Sequence, residues 1–525
     1  PERFNIAKAV CDRHAAASPD RTAIVFEDAD GTARKLTFGV LQSEANRLAN
    51  TLVQLGVRPG DRVAIHLPQC FEAAIAHVAA YKLGAIALPL FSLFGPEALR
   101  HRLADSGARA LVTCQANLGV LDAVRDELGE LAHVLVTDGQ ASYGQDLRGL
   151  MARASDAFET ADTRADDPAM LIYTSGTTGD PKGALHGHRV LLGHLPGVEF
   201  PHRYFPQAGD LFWTPADWAW AGGLLDVLLP GLFHGVPVLA KRFEKFAPEP
   251  VFELMARHGV RNTFMPATAL RMLRQFPDAG RFGVQLRSIA SGGEALGEDL
   301  IGWGRETFGL TINEFYGQTE VNLVVGNNAD VMPVKPGSMG RPIPGHQVSV
   351  IDEGGQEVPV GDVGMVAVRR PDPVMFIEYW NKPDATRAKF VGDWCLLGDL
   401  ASRDEDGYLW FKSRDDDVII SSSYRIGPTE VEECLNQHPK VMMAGVIGSP
   451  DPIRGEIVKA YVVLADGVEK SDSVRDEIQA HVKRQLSAHE YPRQIRFIDE
   501  LPLTVTGKIQ RVRLREQDAE ERSGE

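Results

Sequence analysis

Apolar residues mark out the first elements. Leu41, Ala45, Leu48, Leu52 and Leu55 step by four, three, four and three, which lines one face of a helix. Gly56 follows as its stop. Arg62–Leu67 is a short apolar run ended by Pro68 and predicts a buried strand. Ala73–Leu83 predicts a second helix and Ala85–Leu90 a second strand. This alternation runs through roughly the first 400 residues and predicts sheets flanked by helices. No repeat of fixed period is present. Polar stretches at Glu159–Asp167 and Arg403–Gly407 punctuate the pattern.

After Asp417 the pattern changes. Pro428–Gln437 predicts a short helix with proline near its start. Val441–Ile447, Ile457–Leu464 and Arg493–Ile498 predict strands, and Val474, Ile478, Val482 and Leu486 line a second helix. A unit of about 110 residues is large enough to be a domain. The expected fold is therefore α/β, with a large multi-subdomain N-terminal domain of βα sheets, 1–414, and a small α+β C-terminal domain, 415–525. The last dozen residues, from about Arg513, are mostly charged and are expected to fray.

Composition narrows the class. At roughly 150 residues per domain, 525 residues make three to four domains' worth of chain. With 44% hydrophobic and 24% charged residues, disorder, collagen and coiled coil are excluded for the bulk of the chain. Fifty-five Lys and Arg against 71 Asp and Glu give a formal charge of −16, which argues against nucleic acid or an anionic membrane as partner. Cys11, Cys70, Cys114, Cys395 and Cys434 are few, scattered and odd in number, so neither a disulfide framework nor a zinc module is expected. The chain opens Pro1-Glu2-Arg3 with no apolar leader, and charged residues or prolines interrupt its longest apolar stretches, Ala73–Phe91 and Gly222–Ala240. A reducing cytosol is the expected compartment.

The richest chemistry lies in Tyr173-Thr174-Ser175-Gly176-Thr177-Thr178-Gly179-Asp180-Pro181-Lys182-Gly183. After a strand-like run come three glycines, four hydroxyls and a lysine. Glycines let backbone N–H groups turn toward an anion, hydroxyls donate to phosphate oxygens, and lysine adds charge. The spacing is not that of a P-loop: Gly176 and Gly179 are too close, and Lys182 precedes glycine rather than serine or threonine.

This segment resembles the signature loop of the adenylate-forming superfamily of acyl-CoA synthetases, luciferases and peptide-synthetase adenylation domains. Further matches follow in the family's order: Ser291-Gly292-Gly293-Glu294, Glu314-Phe315-Tyr316-Gly317-Gln318-Thr319-Glu320, Gly398-Asp399, Lys412–Asp417, Tyr424-Arg425-Ile426-Gly427 and Thr506-Gly507-Lys508. Together the motifs span about 335 residues. Thr214–Trp220 and Tyr491-Pro492-Arg493 are most similar to the medium-chain acyl-CoA synthetases.

The resemblance implies a two-step reaction. A carboxylate attacks the α-phosphate of ATP, releasing pyrophosphate, and a thiol, usually that of coenzyme A, then displaces AMP. It implies ATP, Mg2+ and coenzyme A as co-substrates and cofactor, a small carboxylic acid as the further partner, and a monomer or homodimer. Lys508, Thr174 and Glu320 take the catalytic positions, with Glu320 on Mg2+, which prefers oxygen ligands. The signature loop, Gly292-Gly293-Glu294 and Glu314–Thr319 fall to the nucleotide, with Tyr316 against adenine. Asp399 and Arg414 fall to ribose and phosphate, and Arg425 joins the nucleotide set. The small domain is implied to be mobile, turning about Asp416 so that Lys508 serves adenylation in one pose and leaves in the other.

For coenzyme A the matching residues are Ser422, Ser423, Tyr424, Arg454, Lys483, Tyr491, Pro492 and Arg493. Ser423 departs from the glycine usual before Tyr424, and so leaves open an alternative acceptor, a carrier-protein thiol or an amine. For the acyl pocket, Trp218, Trp220 and Gly222 are expected as walls. Gly317 stands where acetyl-CoA synthetases carry tryptophan, so open space is expected there for a medium-chain, branched or aryl acid. A non-catalytic nucleotide-binding protein is a further alternative, opposed by the presence of both Lys508 and Glu320.

Overall fold

A computed structural model describes residues 1–139, 143–174, 181–243, 245–415, 417–421, 424–452, 454–486, 490–504 and 507–524. Its first long helix is Phe38–Gln54, whose Thr37 hydroxyl accepts from Val40 N at 3.4 Å as an N-cap. Leu41, Ala45, Leu48 and Leu52 on the predicted face are buried. Strand Arg62–His66, helix Phe71–Leu83 and strand Ile86–Pro89 follow, each within two residues of expectation.

The described residues form four sheets. One has eight strands, in the order Glu378–Tyr379, Gly183–Gly187, Pro168–Tyr173, Ile86–Pro89, Arg62–His66, Ala110–Thr113, His133–Val136 and Gln145–Asp146. A nine-stranded sheet carries parallel strands Asn313–Gln318, Ser288–Gly292, Asn262–Phe264, Phe212–Trp213, Val238–Lys241 and Thr22–Glu27 side by side. The helices between them cover these strands, which is why they read as unbroken apolar runs. A five-stranded antiparallel sheet ends in Leu409–Arg414, paired with Trp394–Arg403.

The fourth sheet is built from residues after Asp417. Tyr424–Ile426, Ile419–Ser421, Gly455–Leu464 and Val441–Asp451 are antiparallel, and Gln494–Phe497 joins parallel to Gly455–Leu464. Helices Pro428–Asn436 and Asp472–Gln485 pack on it around Val431, Leu435, Ile478 and Val482.

The parallel arrangement decides where chemistry can occur. Parallel strands all present their carboxyl ends at one edge, where ligands of such sheets bind. Here the segments leaving that edge are Thr214–Trp220, Met265–Thr268, Gly293-Glu294 and Thr319-Glu320.

The charged C-terminal tail does not fray. It forms helix Arg511–Gly524, with Leu514 and Asp518 buried. Asp518 accepts from Ser449 Oγ at 3.0 Å and from Lys459 Nζ at 2.8 Å, and Arg522 Nε reaches it at 3.0 Å. The charges are paired inward and so hold the helix to the sheet. No helix among the described residues is long and apolar enough to cross a membrane.

Breaking a buried ion pair by removing one partner costs about 3–5 kcal/mol. Asp518→Ala should therefore lower the melting temperature and speed tryptic cutting at Arg511–Arg515. Unchanged proteolysis would show that Asp518 does not hold the helix.

Candidate functional site

The carboxyl-end edge of the nine-stranded sheet gathers residues expected to meet the nucleotide. Parallel pairing sets Ser291 opposite Glu314 and Gly292 opposite Phe315, so the two motifs run side by side although they are far apart in sequence. Phe315 stacks on Phe264, with centroids 5.3 Å apart and planes 27° apart, and Trp220 lies against Phe264 at 5.6 Å. Gly293, at φ +87°, turns the chain out of the sheet, and a Cβ there would lie 3.6 Å from both Lys508 Cε and Trp220 Cζ2. Lys508, an aromatic wall and the turn after strand Ser288–Gly292 thus converge.

The lysine is carried in by a tight loop. Thr504 N donates to Lys508 O at 2.7 Å, and Lys508 N donates to Thr504 Oγ1 at 3.0 Å. Gly507 sits where a Cβ would be 3.5 Å from Glu294 Oε1. Thr268 Oγ1 donates to Glu294 Oε2 at 2.8 Å, and Arg271 reaches the same oxygen at 3.4 Å. Burial first, then the neighbouring Arg414, push the Lys508 ammonium below its ordinary value, while Asp399, Glu294 and Glu320 oppose the shift.

Asp399 is fixed from three sides. Tyr316 Oη donates to its Oδ2 at 2.5 Å and Gln318 Nε2 at 2.6 Å, while Arg414 Nε lies 3.8 Å from Oδ1. Register explains the last contact, since Asp399 and Arg414 are partners across the antiparallel pair. Burial raises the Asp399 carboxyl, and also raises Tyr316, whose phenol stays protonated and so remains a donor. Glu314 is buried one strand position before Phe315, and burial together with Glu433 holds its carboxyl well above the usual range.

Glu320 is buried at the end of its motif. The Tyr379 hydroxyl donates to its Oε1, and Lys389 Nζ is 3.8 Å from the same oxygen. Among the described residues no group of three or more His, Cys, Asp and Glu side chains could hold a metal ion. A single carboxylate fits Mg2+, which commonly takes one or two protein carboxylates and completes its shell with phosphate oxygens and water.

Two antiparallel strands flank the signature segment. Strands Pro168–Tyr173 and Gly183–Gly187 pair antiparallel, and Thr174 N donates to Lys182 O at 2.9 Å across the neck. Lys182 N donates back to Thr174 Oγ1 at 3.2 Å. Ser175, Gly176, Thr177, Thr178 and Gly179 lie outside the described residues, as do Asp416, Ser422 and Ser423 and the side chains of Tyr424 and Arg425. Of the coenzyme A set, Lys483 Nζ and Arg493 Cζ flank the Tyr491 ring at 5.4 and 5.2 Å. Pro492 O accepts from Gln479 Nε2 at 2.9 Å. Arg454 is half-buried, its N–H donating to Asp451 Oδ1 at 2.8 Å, with no contact to that trio among those described.

Residues 11–380 match the AMP-binding enzyme family, and residues 430–508 match the AMP-binding enzyme C-terminal domain. The chain belongs to this family. It is 37% identical to the acetyl-coenzyme A synthetase of Bacillus subtilis over 97% of this chain and 90% of that protein. It is 34% identical to the mitochondrial acyl-coenzyme A synthetase ACSM3 of Mus musculus over 99% of this chain and 91% of that protein. The crystal structure of the anthranilate CoA ligase AuaEII with anthranoyl-AMP superposes with a TM-score of 0.92 at 28% identity, covering 100% of this chain and 99% of that one.

For an AMP-binding enzyme the acyl side of this site has two surprises. Trp218 and Trp220 differ in burial: Trp218 is 1% exposed in the main core, whereas Trp220 is only partly buried against it and borders the turn at Gly293 that Lys508 also approaches. Gly317 opens no space. A Cβ there would lie 1.5 Å from Asn322 O and 2.9 Å from Leu323 N, because the antiparallel partner strand Asn322–Gly326 runs beside it with a register irregularity at Tyr316 and Gly317. Main chain, not vacancy, requires the glycine. Gly222 faces aromatics, a Cβ there falling 2.7 Å from Phe264 and 2.8 Å from Trp220. Sequence reasoning missed Phe264, Thr268, Arg271, Tyr379 and Lys389. Of these only Thr268 and Arg271 carried a signal, polar residues three apart on the short helix Ala267–Arg274 that leaves the strand edge.

Gly317→Ala should therefore destabilise the protein by several kcal/mol, as a contact that cannot relax, rather than change the preferred acid. A thermal melt checks this; a wild-type melting temperature with altered chain-length preference would restore the open-pocket reading.

Proposed function

We propose that this AMP-binding enzyme is an ATP-dependent acid–CoA ligase acting on a medium-chain, branched or aryl carboxylic acid. In the first step a carboxylate oxygen bonds to the α-phosphorus as the bond from that phosphorus to the bridging oxygen of pyrophosphate breaks. In the second the coenzyme A sulfur bonds to the acyl carbon, AMP leaves with the carboxylate oxygen, and the thiol proton passes to solvent. The observation that carries this reading is the convergence of Lys508 with Gly293, Trp220, Asp399 and Glu294 at the strand edge.

Each residue has a task suited to its chemistry. The Lys508 ammonium attracts both the acid's carboxylate and the α-phosphate, and so offsets the repulsion between two anions as they close. Its partial burial strengthens that attraction. Asp399, aligned by Tyr316, Gln318 and Arg414, accepts from the ribose hydroxyls. Thr174 and Lys182 set the neck of the signature segment. Glu320 would hold Mg2+, which when bound shields the charge of the triphosphate. Trp220 and Phe264 wall the acid and exclude water from the anhydride. Lys483, Arg493 and Tyr491 offer cations and an aromatic face to the phosphorylated nucleotide of coenzyme A.

The expected boundary lies at residues 414 and 415, with Asp416 as the hinge, and the contacts on either side support a change of domain within one or two residues of it. Asp415 N donates to Gly398 O of the large domain at 3.0 Å, whereas the Asp417 side chain pairs with Arg511 and Arg515 of the small one at 3.3 and 2.5 Å. The five cysteines are unpaired, which suits a reducing cytosol.

The test is pyrophosphate release across carboxylic acids from C2 to C10, branched and aromatic, with and without coenzyme A. Sustained turnover that requires coenzyme A supports the ligase; a single stoichiometric burst in both cases points to another acceptor and to Ser423. Lys508→Ala should abolish adenylation, by at least a hundredfold, and leave thiolation of supplied acyl-adenylate within a few-fold of wild type. Equal loss of both half-reactions would overturn the one-pose role of the lysine.

A further inference from the structure

The segment 376–380 touches both halves of the nucleotide site. Phe376 N donates to Glu320 O at 2.8 Å, Ile377 N to Leu185 O at 2.7 Å and Trp380 N to Gly183 O at 2.7 Å. One side of this short stretch therefore grips the carboxylate motif, and the other grips the strand that follows Lys182. Strand Glu378–Tyr379 pairs with Gly183–Gly187, which sets Tyr379 opposite Ala184. Tyr379 N donates to Thr386 Oγ1 at 2.9 Å, and the residue is 3% exposed. Its orientation is thus locked by main chain and by packing.

The side chain spans the gap between the two motifs. Its hydroxyl donates to Glu320 Oε1, and its ring lies 5.4 Å from Lys182 Nζ. Lys389 Nζ approaches the same Oε1 at 3.8 Å.

We propose that Tyr379 is a positioning residue for the nucleotide site. Its hydroxyl, with Lys389 beside it, occupies Glu320 Oε1 and leaves Oε2 as the oxygen for the divalent metal, while its ring face holds the Lys182 ammonium toward the phosphates. The proposal rests on the reading of Glu320 as the Mg2+ ligand. A partner that orients a ligating carboxylate is worth about 10- to 100-fold in metal affinity or activity. A cation over an aromatic face adds a smaller, separable contribution.

The test uses the full-length enzyme and the variants Tyr379→Phe, Tyr379→Leu, Lys389→Gln and Glu320→Gln. Pyrophosphate release is titrated with Mg2+ at saturating ATP and acid, and Mn2+ binding in the presence of a non-hydrolysable ATP analogue is read by electron paramagnetic resonance. Tyr379→Phe should raise the Mg2+ needed for half-maximal rate about tenfold and weaken Mn2+ binding by the same factor, with most of the rate recovered at saturating Mg2+. Because the ring remains, KM for ATP at saturating Mg2+ should be unmoved in Tyr379→Phe and raised about threefold in Tyr379→Leu. Lys389→Gln reaches the same oxygen from elsewhere and should shift the metal titration in the same direction, so the proposal is tested even should a Tyr379 variant fold poorly. A shift in Glu320→Gln with none in Tyr379→Phe or Lys389→Gln overturns the positioning role alone. No shift in Glu320→Gln overturns the metal reading and the proposal with it.

Discussion

An ammonium group drawn out of water beside a guanidinium is unstable unless carboxylates surround it. Lys508 sits close to that limit: burial and Arg414 lower its affinity for the proton, and Asp399, Glu294 and Glu320 offset part of that shift. These four neighbours come from four separate stretches of chain, and no stretch holds the balance alone. The rest of the architecture follows from the need to bring them together. Parallel strands deliver Glu294 and Glu320 at one edge, antiparallel pairing delivers Asp399 with Arg414, and the lysine arrives on a loop of the small domain.

The same constraint explains the weight of hydrogen bonding at Asp399. A carboxylate this buried loses its hydration, and only donors can replace it. Tyr316 and Gln318 supply two on one oxygen, leaving the other toward Arg414. The motif around Tyr316 therefore contributes to the site in two ways, through the ring it presents and through the carboxylate it steadies.

Much of this was legible in the chain. Leu41, Ala45, Leu48 and Leu52 announced their helix because burial demands one apolar stripe and the helix has one period. The ordered motifs marked residues that the fold brings together at the strand edge, because their chemistry is concentrated in short runs. Tyr379 was silent for the opposite reason: it reaches Glu320 from 59 residues away through a two-residue strand, which leaves no periodic trace. The C-terminal helix was misread because its charges look solvated in sequence, whereas Asp518 and Lys459 are each other's solvent. Trp218 and Trp220 look alike on paper; only the turn after strand Phe212–Trp213 decides which ring faces the core.

The close approach of main chain to Gly317 also limits how this protein can change. In a pocket whose width depended on that residue, one substitution would retune the accepted acid. Here the position is closed to every side chain, since even a methyl would meet Asn322 O. On the proposed reading, variation in acid size is left to the replaceable rings, Trp220 and Phe264, which touch each other and crowd Gly222. Such residues cannot be exchanged singly without disturbing their neighbours. If these rings wall the acid as proposed, a change of preferred acid requires replacing them as a pair rather than singly.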